Sequence, residues 1–82
     1  MKTEASVRDR VQDIFRSVLG KPALVVHDGL AAKDVDNWDS VNNIVIVMEL
    51  EEKLGVVFTT AELAGMQDVG DLFRCLASKG VS

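Results

Sequence analysis

Asp39-Ser40-Val41, preceded by Trp38 and followed by the apolar and acidic run from Asn42 to Leu54, is where this sequence most plainly offers chemistry. An Asp or Ser ahead of an apolar-periodic segment signals a helix start, and the unpaired backbone N–H groups there favour a bound phosphate. Ser40 is thus an accessible hydroxyl able to carry a phosphodiester. By itself such a pair is ordinarily a helix cap, so its surroundings decide. Other constellations are poorly supplied. His27 is the only histidine and Cys75 the only cysteine, so a Cys/His nucleophile would need those two to meet. Cys75 reads as a small, semi-buried residue and His27 as a loop residue bonded to backbone or water. Asp34, Asp36 and Asp39 lack the Gly and terminal Glu of a calcium loop. No Gly-rich phosphate loop occurs, and no Cys/His spacing suits structural zinc.

The charge of −4 is unevenly spread. Residues 1–27 are net basic. Residues 28–52 carry Asp28, Asp34, Asp36, Asp39, Glu49, Glu51 and Glu52 against Lys33 alone, and residues 53–82 balance. Negative potential therefore gathers around Ser40 and the helix after it, which argues against nucleic acid and for steering of basic partner surfaces. With 82 residues the chain is expected to be one domain of modest stability. Its four aromatics, Phe15, Trp38, Phe58 and Phe73, imply a small, mostly aliphatic core. There is no signal-peptide pattern and no apolar run near the roughly 18 residues of a membrane span. A soluble, cytoplasmic protein is expected.

The elements that must position Ser40 follow from apolar spacing. Val7, Val11, Ile14, Phe15, Val18 and Leu19 make one face of an amphipathic helix over Thr3 to Leu19, with Thr3 or Glu4 at its start and Gly20 and Pro22 stopping it. Ser6 and Ser17 then fall inside that helix. From Gly20 to Asp39 no period persists; Leu24, Val26 and Leu30 are the expected core anchors of this long loop, with Val25 and Val35 in reserve and room for a short helical turn. Helix two is expected from about Ser40 to Leu54, closed by Gly55. Ile46, Val47, Leu50 and Leu54 fall on one side of it, and Val41, Ile44, Val45 and Met48 fall nearly opposite, beside Glu52, so one face serves the core and the other is either buried by the loop or offered to partners, Ile44 suiting core and partner equally and Val41 and Val45 favouring partners. Val56-Val57-Phe58 reads as extended loop with Phe58 anchored. Thr59 and Glu62 fit a capping box opening a short helix to about Gly65, sealed by Leu63 and Met66. The last helix starts near Asp68 and uses Val69, Leu72, Phe73 and Leu76 before Gly80. The fold class is all-α: three longer helices plus one short helix, with a long loop between helices one and two. Trp38 has two readings, an anchor fixing the loop before helix two, which is preferred, or a partly exposed contact.

Asp36-Asn37-Trp38-Asp39-Ser40-Val41 together with Ile46-Val47-Met48-Glu49-Leu50-Glu51-Glu52-Lys53-Leu54-Gly55 resembles the attachment motif and second helix of the acyl carrier protein family, and the likeness extends over most of the chain. The resemblance implies a four-helix bundle that is not itself an enzyme, a monomeric carrier spanning residues 1–82. It implies that Ser40, supported by Asp39, receives 4'-phosphopantetheine from coenzyme A through a phosphopantetheinyl transferase, which would make the chain a phosphoprotein. The arm's thiol would hold acyl groups as thioesters. Implied partners are that transferase, an acyl-loading ligase or transferase, and a ketosynthase or other acyl-processing enzyme, meeting Val41, Val45, Met48 and Glu52. Trp38 looks more like free-standing carriers of specialised or polyketide biosynthesis than of housekeeping fatty acid biosynthesis. Asn42 and Val45 stand where fatty-acid carriers usually present acids, and Lys53 reverses another, which weighs against the general fatty-acid machinery. An aminoacyl or peptidyl carrier would use Ser40 identically. An unmodified acidic adaptor would use only the Val41, Ile44, Val45, Met48 face.

Overall fold

The computed structural model describes residues 6–81. Within them four helices follow one another: α1 (Val7–Leu19), α2 (Ser40–Leu54), α3 (Thr60–Ala64) and α4 (Val69–Ser78). Each begins on a side chain that accepts a first-turn N–H: Ser6 from Asp9, Asp39 from Asn42, Thr59 from Glu62 and Asp68 from Asp71. Three of these four starts are those expected from the sequence. Thr3 and Glu4, the caps expected for the first helix, lie outside the described residues, and Ser6 is the cap rather than a residue inside the helix. The reason is local: a serine hydroxyl three residues before Asp9 takes its N–H and closes the helix start there. At the other ends of α1 and α2, Gly20 and Gly55 adopt the left-handed conformation with φ of +65° and +67°, which glycine enters without steric cost.

The core forms where the expected stripes converge. Val11, Ile14, Phe15 and Leu19 of α1, Ile46 and Leu50 of α2, and Val69, Leu72 and Leu76 of α4 are buried together. Val56 and Phe58 join them with Val57 exposed between, so the α2–α3 connection is extended chain whose alternate side chains turn inward. In the long α1–α2 loop, Leu30 and Val35 are the buried anchors, while Leu24 and Val26 are half-buried and Val25 faces solvent. Val35 is therefore a principal anchor rather than a reserve: it follows a short 3₁₀ turn, Ala32–Asp34, whose bond from Val35 N–H to the Ala32 carbonyl aims it inward.

The loop is tied down along its length. Arg16 Nε donates to the Leu24 carbonyl at 2.7 Å, and Val26 N–H donates to Gln12 Oε1 at 2.9 Å. Its far side is sewn to the start of α4, where Val69 N–H donates to the Leu30 carbonyl (2.9 Å) and Gly70 N–H to the Asp28 carbonyl (2.7 Å). That approach favours glycine, since a Cβ at position 70 would sit 3.0 Å from the Asp28 carbonyl oxygen, tighter than an ordinary contact. α3 buries no residue of its own. It is held by the Thr59/Glu62 capping box and by Lys79 of the α4 C-cap, whose Nζ donates to both Glu62 carboxylate oxygens at 2.8 and 2.9 Å. Lys79 thus holds the Glu62 carboxyl down to about 2.

Candidate functional site: the turn at Ser40

Ser40 is the first residue of α2, and its side chain is exposed. The cap of that helix is Asp39, whose Oδ1 accepts from Asn42 N–H at 2.8 Å. The Ser40 hydroxyl is therefore not consumed in capping, and the first N–H groups of the helix have no intrahelical acceptor. Ser6 differs in this respect, because its hydroxyl is itself the cap of α1.

The turn carrying Ser40 is braced from both sides. Asn42 Nδ2 donates back to the Asn37 carbonyl at 2.7 Å, and Asn37 Nδ2 donates to the Leu19 carbonyl at 2.9 Å, so the turn is fastened to the last residue of α1. Asn43 Oδ1 accepts from Trp38 Nε1 at 2.9 Å. The Trp38 ring meets Phe15 edge-on, with centroids 5.0 Å apart and an interplanar angle of 86°. Trp38 is half-buried, so the anchor reading stands, with one edge still facing the surface. From the sequence Asn37 enters only as part of the attachment motif, Asn42 as a missing acid, and Asn43 without a role. Two adjacent asparagines in a first helical turn were nonetheless a usable signal, because Asn is an indifferent helix former that favours side-chain bonds to nearby chain.

Ser40 and Trp38 border a cavity of about 290 Å³. Phe15, Ile46, Leu50 and Leu72 supply apolar walls, and Leu63 and Met66 reach in from α3 and the residues after it. Asp39, Asn43, Gln67 and Asp68 add polar groups. No local sequence pattern signalled this space, since its lining comes from all four helices and the loop.

Along α2 the residues assigned to partners form one exposed stripe. Val41 is 69% exposed, Val45 39% and Met48 61%, with Ile44 beside them. Glu52 is exposed one turn beyond Met48. Ile46 and Leu50 point the other way into the core. Of the neighbouring acids, Glu49 pairs with Lys53 at 3.4 Å, and Glu51 accepts the Phe58 N–H at 3.0 Å to fix the extended connection. Those two carboxylates have internal tasks. The remaining candidates stand apart: His27 is exposed in the long loop, and Cys75 on α4 is half-buried, where burial and the nearby Glu62 carboxylate push its thiol pKa up.

No family model matches this chain, and no curated protein sequence does. A solved structure does: the solution NMR structure of a holo acyl carrier protein from Geobacter metallireducens is 32% identical, covers 88% of this chain and 87% of its own, and superposes with a TM-score of 0.78. The chain belongs to the acyl carrier protein family. Its all-helical bundle is that family's fold, and the described residues contain no helix long and apolar enough to cross a membrane. In this acyl carrier protein the α2 start combines an uncommitted hydroxyl, an adjoining cavity and an exposed apolar stripe.

Proposed function

We propose that this chain, acting as a single carrier domain over residues 1–82, holds acyl intermediates as thioesters on a 4'-phosphopantetheine arm attached to Ser40. The observation that carries the reading is the uncommitted Ser40 hydroxyl on a braced helix N-terminus, in a chain similar over most of its length to a holo acyl carrier protein. The residues present fit the arm. The exposed hydroxyl accepts a phosphodiester, and the free first-turn N–H groups and the helix dipole offset part of its charge. Asp39 remains occupied as cap, so modification leaves the helix start intact. In the transfer, Ser40 Oγ forms a bond to the pantetheine-side phosphorus of coenzyme A and the pyrophosphate bridge breaks. Adenosine bisphosphate leaves, and the hydroxyl proton passes to a base on the transferase. The arm's thiol supplies the thioester when present. The cavity beside Ser40 then shelters the apolar part of the cargo.

Partner enzymes engage the Val41, Val45, Met48 stripe with Glu52 at its edge: the phosphopantetheinyl transferase, a loading ligase or transferase, and a ketosynthase or similar acyl-processing enzyme. With no acid in the first turn beyond the cap, docking relies on apolar burial more than on charge. The chain is non-catalytic, monomeric and cytoplasmic in this reading, and it serves a specialised or polyketide-type pathway. The test is intact-mass measurement after incubation with coenzyme A, magnesium and a permissive transferase. Wild type should gain the phosphopantetheinyl mass and Ser40→Ala should not. An unmodified wild type, or a modified Ser40→Ala, overturns the reading.

A further inference from the structure

We propose that Asn37 and Asn42 are positioning residues for the modification of Ser40: they hold its hydroxyl at a fixed place relative to the core, and losing either slows the transfer step without weakening transferase docking. The inference rests on the carrier reading and concerns how that site works. Two straps cross the Asp39-Ser40-Val41 turn, one joining positions 37 and 42 and the other joining 38 and 43. The first is built on the Asn37 carbonyl, which accepts Asp39 N–H at 3.0 Å and Asn42 Nδ2 at 2.7 Å. Asn42 also donates its own N–H to Asp39 Oδ1 at 2.8 Å, so hydrogen bonds close the turn on itself around Ser40. Asn37 then ties this closed turn to the core, because its Nδ2 donates at 2.9 Å to the carbonyl of Leu19, a residue 1% exposed at the end of α1. The two amides act in series. Without the Asn42 amide the turn is untied from Asn37, and without the Asn37 amide it is untied from α1. The second strap, Trp38 Nε1 to Asn43 Oδ1, still spans the turn when the first is cut, so misplacement rather than unfolding is the expected result.

Position is what Ser40 requires of its own chain. In the transfer, Ser40 Oγ bonds to the pantetheine-side phosphorus of coenzyme A as the pyrophosphate bridge breaks, adenosine bisphosphate leaves, and a base on the transferase takes the proton. Asp39, the adjoining carboxylate, is engaged as the helix cap, so the part left to this chain is to present Oγ in line with the breaking bond. Placement of a reacting atom is where small errors cost most in rate. Docking is set elsewhere: the Val41, Val45, Met48 stripe is carried by α2, whose orientation is fixed by Ile46 and Leu50 in the core. Position 42 also needs a donor, which a carboxylate of the same size cannot supply.

The experiment follows single turnovers of the full chain by intact mass, with coenzyme A and magnesium saturating and a permissive transferase in varied excess. The plateau rate reads the transfer step, and the half-saturating transferase concentration reads docking. Asn42→Leu and Asn37→Leu should each lower the plateau about three- to tenfold, with half-saturation within about twofold of wild type. Because the amides act in series, the double variant should be no slower than the slower single. Ser6→Ala removes a cap at the opposite end of α1 and should keep the wild-type plateau. If a leucine variant loses its helical circular dichroism, Asn42→Asp, of the same size and without the donor, decides in its place at high salt. Absence of any mass gain in wild type overturns the carrier reading and this proposal with it. With wild type modified, this proposal alone is overturned by an unchanged plateau in the asparagine variants, by a change confined to half-saturation, by an equal slowing in Ser6→Ala, or by a double variant slowed by the product of the single effects.

Discussion

Replacing Asp39 should cost more stability than replacing Ser40, although Ser40 is the residue proposed to carry the arm. Asp39 caps α2 through a 2.8 Å bond to Asn42 N–H, and loss of such a cap typically costs about 1 kcal/mol, within a range of about 0.5–2. For a domain of this size each kcal/mol corresponds to about 4–8 °C in Tm, so Asp39→Ala should melt about 4–8 °C below wild type. Ser40 occupies the first helical position with its side chain exposed and outside the cap. Ser40→Ala should therefore stay within about 0.5 kcal/mol of wild type. Asp39→Asn separates geometry from charge, because asparagine caps about as well as aspartate. It should melt like wild type while lowering the rate at which a basic transferase surface modifies Ser40, more so at low salt. Thermal melts of the four proteins and initial rates of mass gain give the measurements. A Ser40→Ala variant as destabilised as Asp39→Ala would show that the serine hydroxyl, not the carboxylate, holds the helix start.

Val45→Glu should weaken binding to a loading or condensing partner by about 1–3 kcal/mol, if that side chain is desolvated in the complex. Val45 is 39% exposed, so helical circular dichroism should persist, and an unfolded variant would make this stripe part of the core. Lys79 holds the Glu62 carboxyl at about 2 against an ordinary 4.5; its contribution to stability is thus complete above about pH 4.5 and is lost as pH falls from there through about 2. Tm should fall across that window, and Glu62→Gln should lower Tm at neutral pH and flatten the acid limb, with an unaltered limb refuting the pairing. Gly70→Ala would place a methyl 3.0 Å from the Asp28 carbonyl oxygen, and forcing the loop away from α4 should cost about 1–3 kcal/mol in a thermal or urea melt. A neutral result would mean that this loop contact does not constrain the fold.

The legible parts of this molecule are those whose causes are local in sequence. Asp39, Thr59 and Asp68 announced helix starts because capping links a side chain to an N–H only three residues away. The split of α2 into a buried and an exposed side followed from helical period alone: Ile46 and Leu50 went inward, and Val41 and Met48 stayed out. Ser40 was legible as a hydroxyl at a helix start, and 32% identity to a solved holo carrier supports the family assignment. The cavity was not legible, because Phe15, Leu63 and Leu72 have no sequence relation to Ser40 until the helices pack. Val35 was ranked below Leu24 for a similar reason: two apolar loop residues look equivalent until a 3₁₀ turn aims one of them inward. Ser6 was placed inside the helix rather than at its cap because the apolar period of α1 carries no information about where the helix begins.

The first turn of α2 shows how a departure from an acidic surface can have a structural cause. Asn42 donates its amide to the Asn37 carbonyl, and a carboxylate at that position could only accept, so an acid there would lose the bond and leave a charge beside a carbonyl oxygen. Asn43 accepts from the Trp38 indole, which an acid could also do, but with an added charge at the mouth of a largely apolar cavity. Neutral amides at both positions therefore favour a rigid attachment turn over electrostatic steering close to Ser40. The exposed acids nearest the stripe are Asp36 and Asp39 before the helix and Glu52 beyond it, and these are the groups that would steer a partner in the proposed reading. Between those charges lies the apolar surface of Val41, Val45 and Met48. A partner matched to this carrier would then pair an apolar centre with a basic rim, the arrangement in which charge sets the encounter and buried side chains set the affinity.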